Sequence, residues 1–276
     1  MAEVMSNAEY RAREGISSSD LKNMMKSMAY YKYVKENPQS KDNQALLFGR
    51  AYHKYMLEMD DFFEEFAIAP ACDRRTKDGK AQWDQFCKEN ADKDIITQAD
   101  FEVIKEMREA LMSTPYVKLL IKGEHEKSFF WTDEKTGIPC KCRPDSFGQI
   151  KDQYIAVDLK TTTCAETDSF MRQANKLGYD IQAVHYRQGL ETHYGKPFKF
   201  VFIAQEKTAP YLVNVLEADE YFMQGGEELR DMLLGQYKKA LETGEYPGYM
   251  TDGINTLSAP NWLKKAMESE NMEEFE

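Results

Sequence analysis

The segment from Tyr154 to Thr161 reads Y-I-A-V-D-L-K-T, and its alternation puts Ile155, Val157 and Leu159 on one side of a strand and Ala156, Asp158 and Lys160 on the other. Residues two apart on a strand stand roughly 7 Å apart on the same face. The sequence therefore commits a carboxylate and an ammonium to one side of a sheet. Inside a core, such a pair needs mutual contact or a ligand, because desolvating an unpaired charge is costly. A solvent-facing edge strand with an ordinary Asp/Lys pair satisfies the same pattern.

The surrounding segments predict a mixed sheet around this strand. Lys127 to Thr132 is aromatic-rich, Asp133 to Gly137 reads as a turn and Ile138 to Phe147 as extended, which predicts a hairpin with the 154–161 strand as its third member. Thr167 to Leu177 and Asp180 to Tyr194 read as helices broken at Gly178 and Gly195. Phe198 to Ala204 and Tyr211 to Leu216 follow as strands around a turn at Ala209-Pro210, and Asp219 to Glu242 closes with a long helix.

Upstream, residues 1–16 read as a polar lead-in, and Ser17-Ser18-Ser19-Asp20 offers capping oxygens for a first helix. Asn43 to Glu58 has helical spacing, with Gly49, His53 and Leu57 on adjoining turns of one face. Residues 70–94 are polar and basic with a turn at Asp78-Gly79, and Asp100 to Met112 resumes a helix that ends before Pro115. The order of helices, three strands, helices, two strands and a helix predicts an α/β fold, a central mixed sheet flanked by helices with a helical N-terminal part. One domain is expected over 17–265, followed by an acidic tail at 266–276.

Pro144-Asp145 stands thirteen residues before Asp158, a spacing that a meander folds into adjacency at the sheet end. Two carboxylates converging there have the hard oxygen donors that suit Mg²⁺ or Mn²⁺. Lys160 would then act as a point charge beside a phosphate under attack. Glu126, expected to begin the first strand of the meander, is a further oxygen ligand or an ordinary strand-edge glutamate. His53 reads as a partly buried helix histidine unless something recruits it. Gln182 and Tyr186 lie four apart and share a helix face.

Composition narrows the function classes. No stretch of the 276 residues approaches the roughly 18 consecutive apolar residues of a spanning helix, and the first residues lack the basic start and apolar stretch of a signal peptide, so a cytoplasmic protein without membrane association is expected. The five cysteines have no framework spacing, and Cys140-x-Cys142 fits a core strand better than a zinc site. A net charge of −11 argues weakly against nucleic acid, yet Arg74, Arg75, Lys77 and Lys80 gather in one short stretch. A second, looser basic group runs from Lys118 to Arg143, while much acid lies elsewhere, so one basic face on an acidic body and scattered solvated charges are both open.

Taken in order, the upstream helix histidine His53, Pro144-Asp145, Asp158-Leu159-Lys160 and Gln182-x-x-x-Tyr186 resemble the RecB-like branch of the PD-(D/E)XK nucleases. More closely, Gly49-Arg50-Ala51-Tyr52-His53, Arg74-Arg75-Thr76-x-x-Gly79-Lys80, Thr136-Gly137-Ile138-x-Cys140-x-Cys142-Arg143-Pro144-Asp145 and Asp158-x-Lys160-Thr161-Thr162 resemble the nuclease domain of RecE-type exonucleases, the exodeoxyribonuclease VIII family, over about Ser17 to Trp262. The resemblance implies a 5′ to 3′ exonuclease that digests one strand of linear double-stranded DNA and leaves a 3′ single-stranded tail. It further implies a homo-oligomer in the form of a ring tetramer, a RecT-like single-strand annealing partner and a phage or prophage setting. Carried over by motif, His53, Glu126, Asp145, Asp158 and the Leu159 carbonyl become the metal site, and Lys160 the catalytic lysine. Gln182 and Tyr186 support the lysine or the DNA end; by their charge, Arg74, Arg75, Lys77, Lys80 and Arg143 are the expected DNA contacts.

Two rival readings remain. CRISPR-associated nucleases of the same branch carry an iron–sulfur cluster, but no cysteine follows Cys164 to supply its downstream thiolates. A non-catalytic DNA-binding or assembly module on a nuclease-like fold would have no use for inward carboxylates near phosphate, where they repel.

Overall fold

Ser17 opens the first long helix as its sequence suggests: the Asp20 carboxylate accepts from the Ser17 amide at 2.9 Å, and Ser17 Oγ caps the Asp20 amide in return. The computed structural model describes residues 3–38, 44–249, 253–261, 263–265 and 267. Helices α1 (Asn7–Ala12), α2 (Ser18–Lys26), α3 (Met28–Glu36) and α4 (Gln44–Leu57) lead, followed by α5 (Phe62–Glu65), β1 (Phe66–Ile68), α6 (Lys77–Glu89), β2 (Asp94–Ile96), α7 (Gln98–Ser113) and α8 (Pro115–Leu120). The strand-rich middle holds β3 (Glu124–His125), β4 (Phe129–Thr132), β5 (Pro139–Cys142), β6 (Ser146–Ile150) and β7 (Gln153–Thr162). Helices α9 (Thr167–Leu177) and α10 (Tyr179–Tyr194), strands β8 (Phe198–Glu206) and β9 (Val213–Glu217) and helix α11 (Glu220–Thr243) complete the order.

The main sheet runs β3-β6-β7-β8-β9, with β7 and β8 parallel and the other neighbours antiparallel. Strand β7 lies in its middle, so the edge-strand alternative for Asp158 and Lys160 is excluded. Both faces of β7 are covered. Ile155, Val157 and Leu159 pack with Val201 and Ile203 under α4 and α7, while Ala156, Phe200 and Phe202 pack under α9 and α10. The central mixed sheet flanked by helices is therefore the architecture the element order predicts.

Several local expectations change. The stretch from Ile138 to Phe147 is not one strand: β5 ends at Cys142, β6 starts at Ser146, and the β4–β5 hairpin forms a small sheet of its own. Cys140 and Cys142 are buried on β5, as a core strand requires. Asp78-Gly79 is no turn but the first turn of α6, where Thr76 Oγ1 accepts from the Gly79 amide at 3.0 Å. Gly79 is needed there because a Cβ would stand 2.1 Å from the Asp73 carbonyl oxygen. The acidic tail, residues 266–276, lies outside the described residues except for Met267.

Residues 3–16 are more than a lead-in. Glu3 exchanges backbone hydrogen bonds with Ser128, the Lys141 ammonium donates to the Tyr10 carbonyl at 2.9 Å, and Ile16 pairs alongside β5. Beneath this strap, His185 Nε2 lies 3.0 and 3.1 Å from the carbonyls of Ile16 and Lys141, and Arg230 Nε donates to its Nδ1 at 3.3 Å. Arg230 is itself paired with buried Asp133 at 2.9 Å. Carbonyls only accept, so Nε2 carries the proton and the ring is neutral. Burial, with the Arg230 charge second, lowers the His185 pKa to about 3.

This depression fixes a sign. The unfolded imidazole takes up a proton below about 6.5 and the folded one only near 3, so the stability is complete above the higher value and is lost as pH falls. Across that window His185 removes up to about 1.4 kcal/mol per pH unit. Urea unfolding of the wild type and of His185→Gln, each followed from neutral pH to pH about 4.5, checks this. The variant is expected to lose stability less steeply; parallel decline would assign the acid sensitivity elsewhere.

Candidate active site

Helix α4 brings His53 to the sheet by burying the face beside it. Ala51, Tyr52 and Met56 enter the core, and the Tyr52 hydroxyl donates to Gln205 of β8 at 2.7 Å. His53 Nδ1 then stands 3.2 Å from Asp145 Oδ2. Asp145 sits in the break just before β6, and the same oxygen accepts the Leu159 amide of β7 at 2.7 Å. Glu126 does not begin a strand: it follows β3 in a kink with a φ of 49°, which turns its side chain toward the same place. One donor atom from each of His53, Glu126 and Asp145 lies within 4.8 Å of the others, and among the described residues this is the group gathered in metal-ligand fashion.

The electrostatics match this crowding. Burial, reinforced by the Asp145 charge, pushes Glu126 up to about 8. Burial alone would depress His53, but the Asp145 carboxylate raises it to about 9. For Asp145 the burial cost is outweighed by His53 and Lys160, which hold it below the usual carboxylate range. Two carboxylates are thus held together with a proton on the glutamate and one on the histidine. A divalent cation would replace both protons, so the oxygen-rich donor set fits Mg²⁺ or Mn²⁺.

Asp158 and Lys160 occupy the adjoining end of β7. Asp158 is fully buried, its Oδ1 accepts from Gln182 Nε2 at 2.6 Å, and its Oδ2 pairs with the Lys160 ammonium. That ammonium also lies 4.8 Å from the centre of the Tyr179 ring. In this arrangement Asp158 serves Lys160 and Gln182, and Leu159 offers its N–H to Asp145. Tyr186, one turn along α10 from Gln182, is half-buried, and its hydroxyl is pushed well up, first by burial and then by Asp158.

The expected DNA contacts divide. Arg74, Arg75, Lys77 and Lys80 are exposed around the start of α6, with Arg74 stacked 4.3 Å over Trp83 and Arg75 paired to Asp73. Arg143 does not join them. Its guanidinium is buried and donates to Ser128 Oγ, Asn7 Oδ1 and the Met5 carbonyl, so it secures the N-terminal strap. Lys22 on α2 and Tyr179 at the start of α10 belong to the site without having stood out in the sequence. Lys22 reaches the site across 160 positions of sequence, and nothing in its local pattern signals that.

Comparison with solved structures supports the same architecture. The crystal structure described as that of a "Putative exonuclease" from Eubacterium rectale aligns over 96% of this chain and 98% of its own, with a TM-score of 0.64 and 17% identity, a likeness of fold. A second structure, that of SSO0001, aligns over 74% of this chain and 89% of its own at 13% identity, but its TM-score of 0.32 is too low to bear on the fold. No curated protein matches the sequence. Residues 17–259 match the family model described as PDDEXK-like domain of unknown function (DUF3799), and the chain belongs to that PDDEXK-like family.

Proposed function

We propose that the chain is a metal-dependent 5′ to 3′ exodeoxyribonuclease that degrades one strand of linear duplex DNA. The observation that carries the metal-dependent nuclease reading is the convergence of His53, Glu126 and Asp145 beside the buried Asp158–Lys160 pair at one end of β7, while the 5′ to 3′ polarity on linear duplex rests on the motif resemblance. Mg²⁺ or Mn²⁺ bound there would polarise the phosphate and acidify a water. His53, Glu126 and Asp145 would hold it; the sequence resemblance adds Asp158 and the Leu159 carbonyl, although both Asp158 oxygens are engaged here by Gln182 and Lys160. Lys160 directs its ammonium at the phosphate and stabilises charge gathering there, while Asp158 and the Tyr179 ring keep it in place. Gln182 and Tyr186 steady this pair from α10.

Arg74, Arg75, Lys77 and Lys80 offer exposed cationic groups that would meet DNA phosphates despite the net negative charge. The motif resemblance extends the proposal to 3′ tails for recombination with a RecT-like annealing protein, to a ring tetramer around the duplex and to the cytoplasm. Digestion of linear and closed-circular duplexes carrying 5′ or 3′ labels tests the polarity. Release of the 5′ label first, with circles spared, is expected. Release of the 3′ label first would reverse the polarity, and cutting of circles would indicate an endonuclease.

A further inference from the structure

A second lysine reaches this centre from the N-terminal helices. Lys22 Nζ on α2 donates to Gln182 Oε1 at 2.7 Å and lies 4.9 Å from the centre of the Tyr179 ring, the same ring that Lys160 approaches. A carboxamide has an accepting end and a donating end, and its two neighbours decide which way it points. Lys22 Nζ carries hydrogens to donate whether charged or neutral, and it takes the oxygen, although burial, with the Lys160 charge second, lowers its pKa to about 7. Asp158 Oδ1 in turn accepts the Nε2 hydrogen at 2.6 Å. With Asp158 Oδ1 held in this way, Oδ2 is left for Lys160.

We propose that Lys22 is a positioning residue of the catalytic centre: by fixing the Gln182 carboxamide it orients the Asp158 carboxylate and, through it, the Lys160 ammonium. The kinetic consequence rests on the nuclease reading above; the hydrogen-bond chain itself does not. The packing of an N-terminal helix against α10 places this lysine. Helix α2 contributes Leu21 and Met24 to a core shared with Ile181 of α10, and this packing aims Lys22, between those two residues, at Gln182.

Lys22→Met, Lys22→Arg, Gln182→Ala and the double variant Lys22→Met/Gln182→Ala separate the possibilities. On linear duplex with Mg²⁺, Lys22→Met is expected to lower kcat about 10- to 100-fold, with KM within about twofold of wild type. Lys22→Arg, which still donates, should recover most of the loss. The double variant should be no slower than Gln182→Ala alone, because Lys22 acts through that amide. A raised KM with unchanged kcat in Lys22→Met, or losses that multiply in the double variant, would overturn the proposal.

A second readout needs no turnover. In protein labelled with ¹⁵N at glutamine side chains, the Gln182 amide hydrogens should exchange about tenfold or more faster in Lys22→Met than in wild type. Unchanged exchange would overturn the relay. Should wild-type protein cut no DNA, the nuclease reading fails while this exchange measurement still decides the hydrogen-bond chain.

Discussion

Lys160→Met is expected to lower duplex hydrolysis by on the order of 10²–10³-fold while the protein stays folded and still binds DNA. The ammonium is held by Asp158 and by the Tyr179 ring, so its direction is set before substrate arrives. Burial alone would push the lysine down, but Asp158 and Asp145 raise it, and it remains charged across the neutral range. Methionine fills similar volume without charge, which removes the electrostatic contribution and little of the packing. Asp158 is then left with Gln182 as its donor, and in so buried a place it relieves the loss by taking a proton. A cooperative thermal transition together with lost turnover would match this account. Near-normal turnover would remove Lys160 from the chemistry.

Asp145→Asn should weaken Mn²⁺ binding by at least about 100-fold and abolish measurable turnover, since even outer partners of a metal site are worth 10- to 100-fold in affinity. Asp145 is the point where three elements meet: α4 through His53, β7 through the Leu159 amide, and its own position at the head of β6. Asparagine keeps an oxygen for the Leu159 amide, so the backbone arrangement survives while one negative charge goes. Titration calorimetry with Mn²⁺ measures the effect without any DNA. Equal affinity in the two proteins would place the metal elsewhere.

The features legible in the sequence were those written in short-range periodicity. Alternation across 154–161 gave both faces of β7, and spacing of three and four placed His53 in α4 and set Gln182 beside Tyr186 on α10. What escaped depended on partners distant in the chain. Arg143 looks basic and available, yet its guanidinium is consumed by Ser128, Asn7 and Met5, with two of these more than 130 positions away. Lys22 meets Gln182 across 160 positions, and no local pattern marks such a contact. Asp78-Gly79 has the composition of a turn, but the Thr76 cap converts it into a helix start. Glu126 reached the metal-ligand group through a backbone kink that alternation cannot announce.

The most direct test of a metal-dependent nuclease built on this site is hydrolysis of linear duplex DNA by the wild type in millimolar Mg²⁺ and in EDTA, with Lys160→Met alongside. Cleavage by the wild type with Mg²⁺, none with EDTA, and a rate lower by on the order of 10²–10³-fold for the variant are expected. Cleavage that persists in EDTA, or that the variant performs as well as the wild type, would contradict that reading.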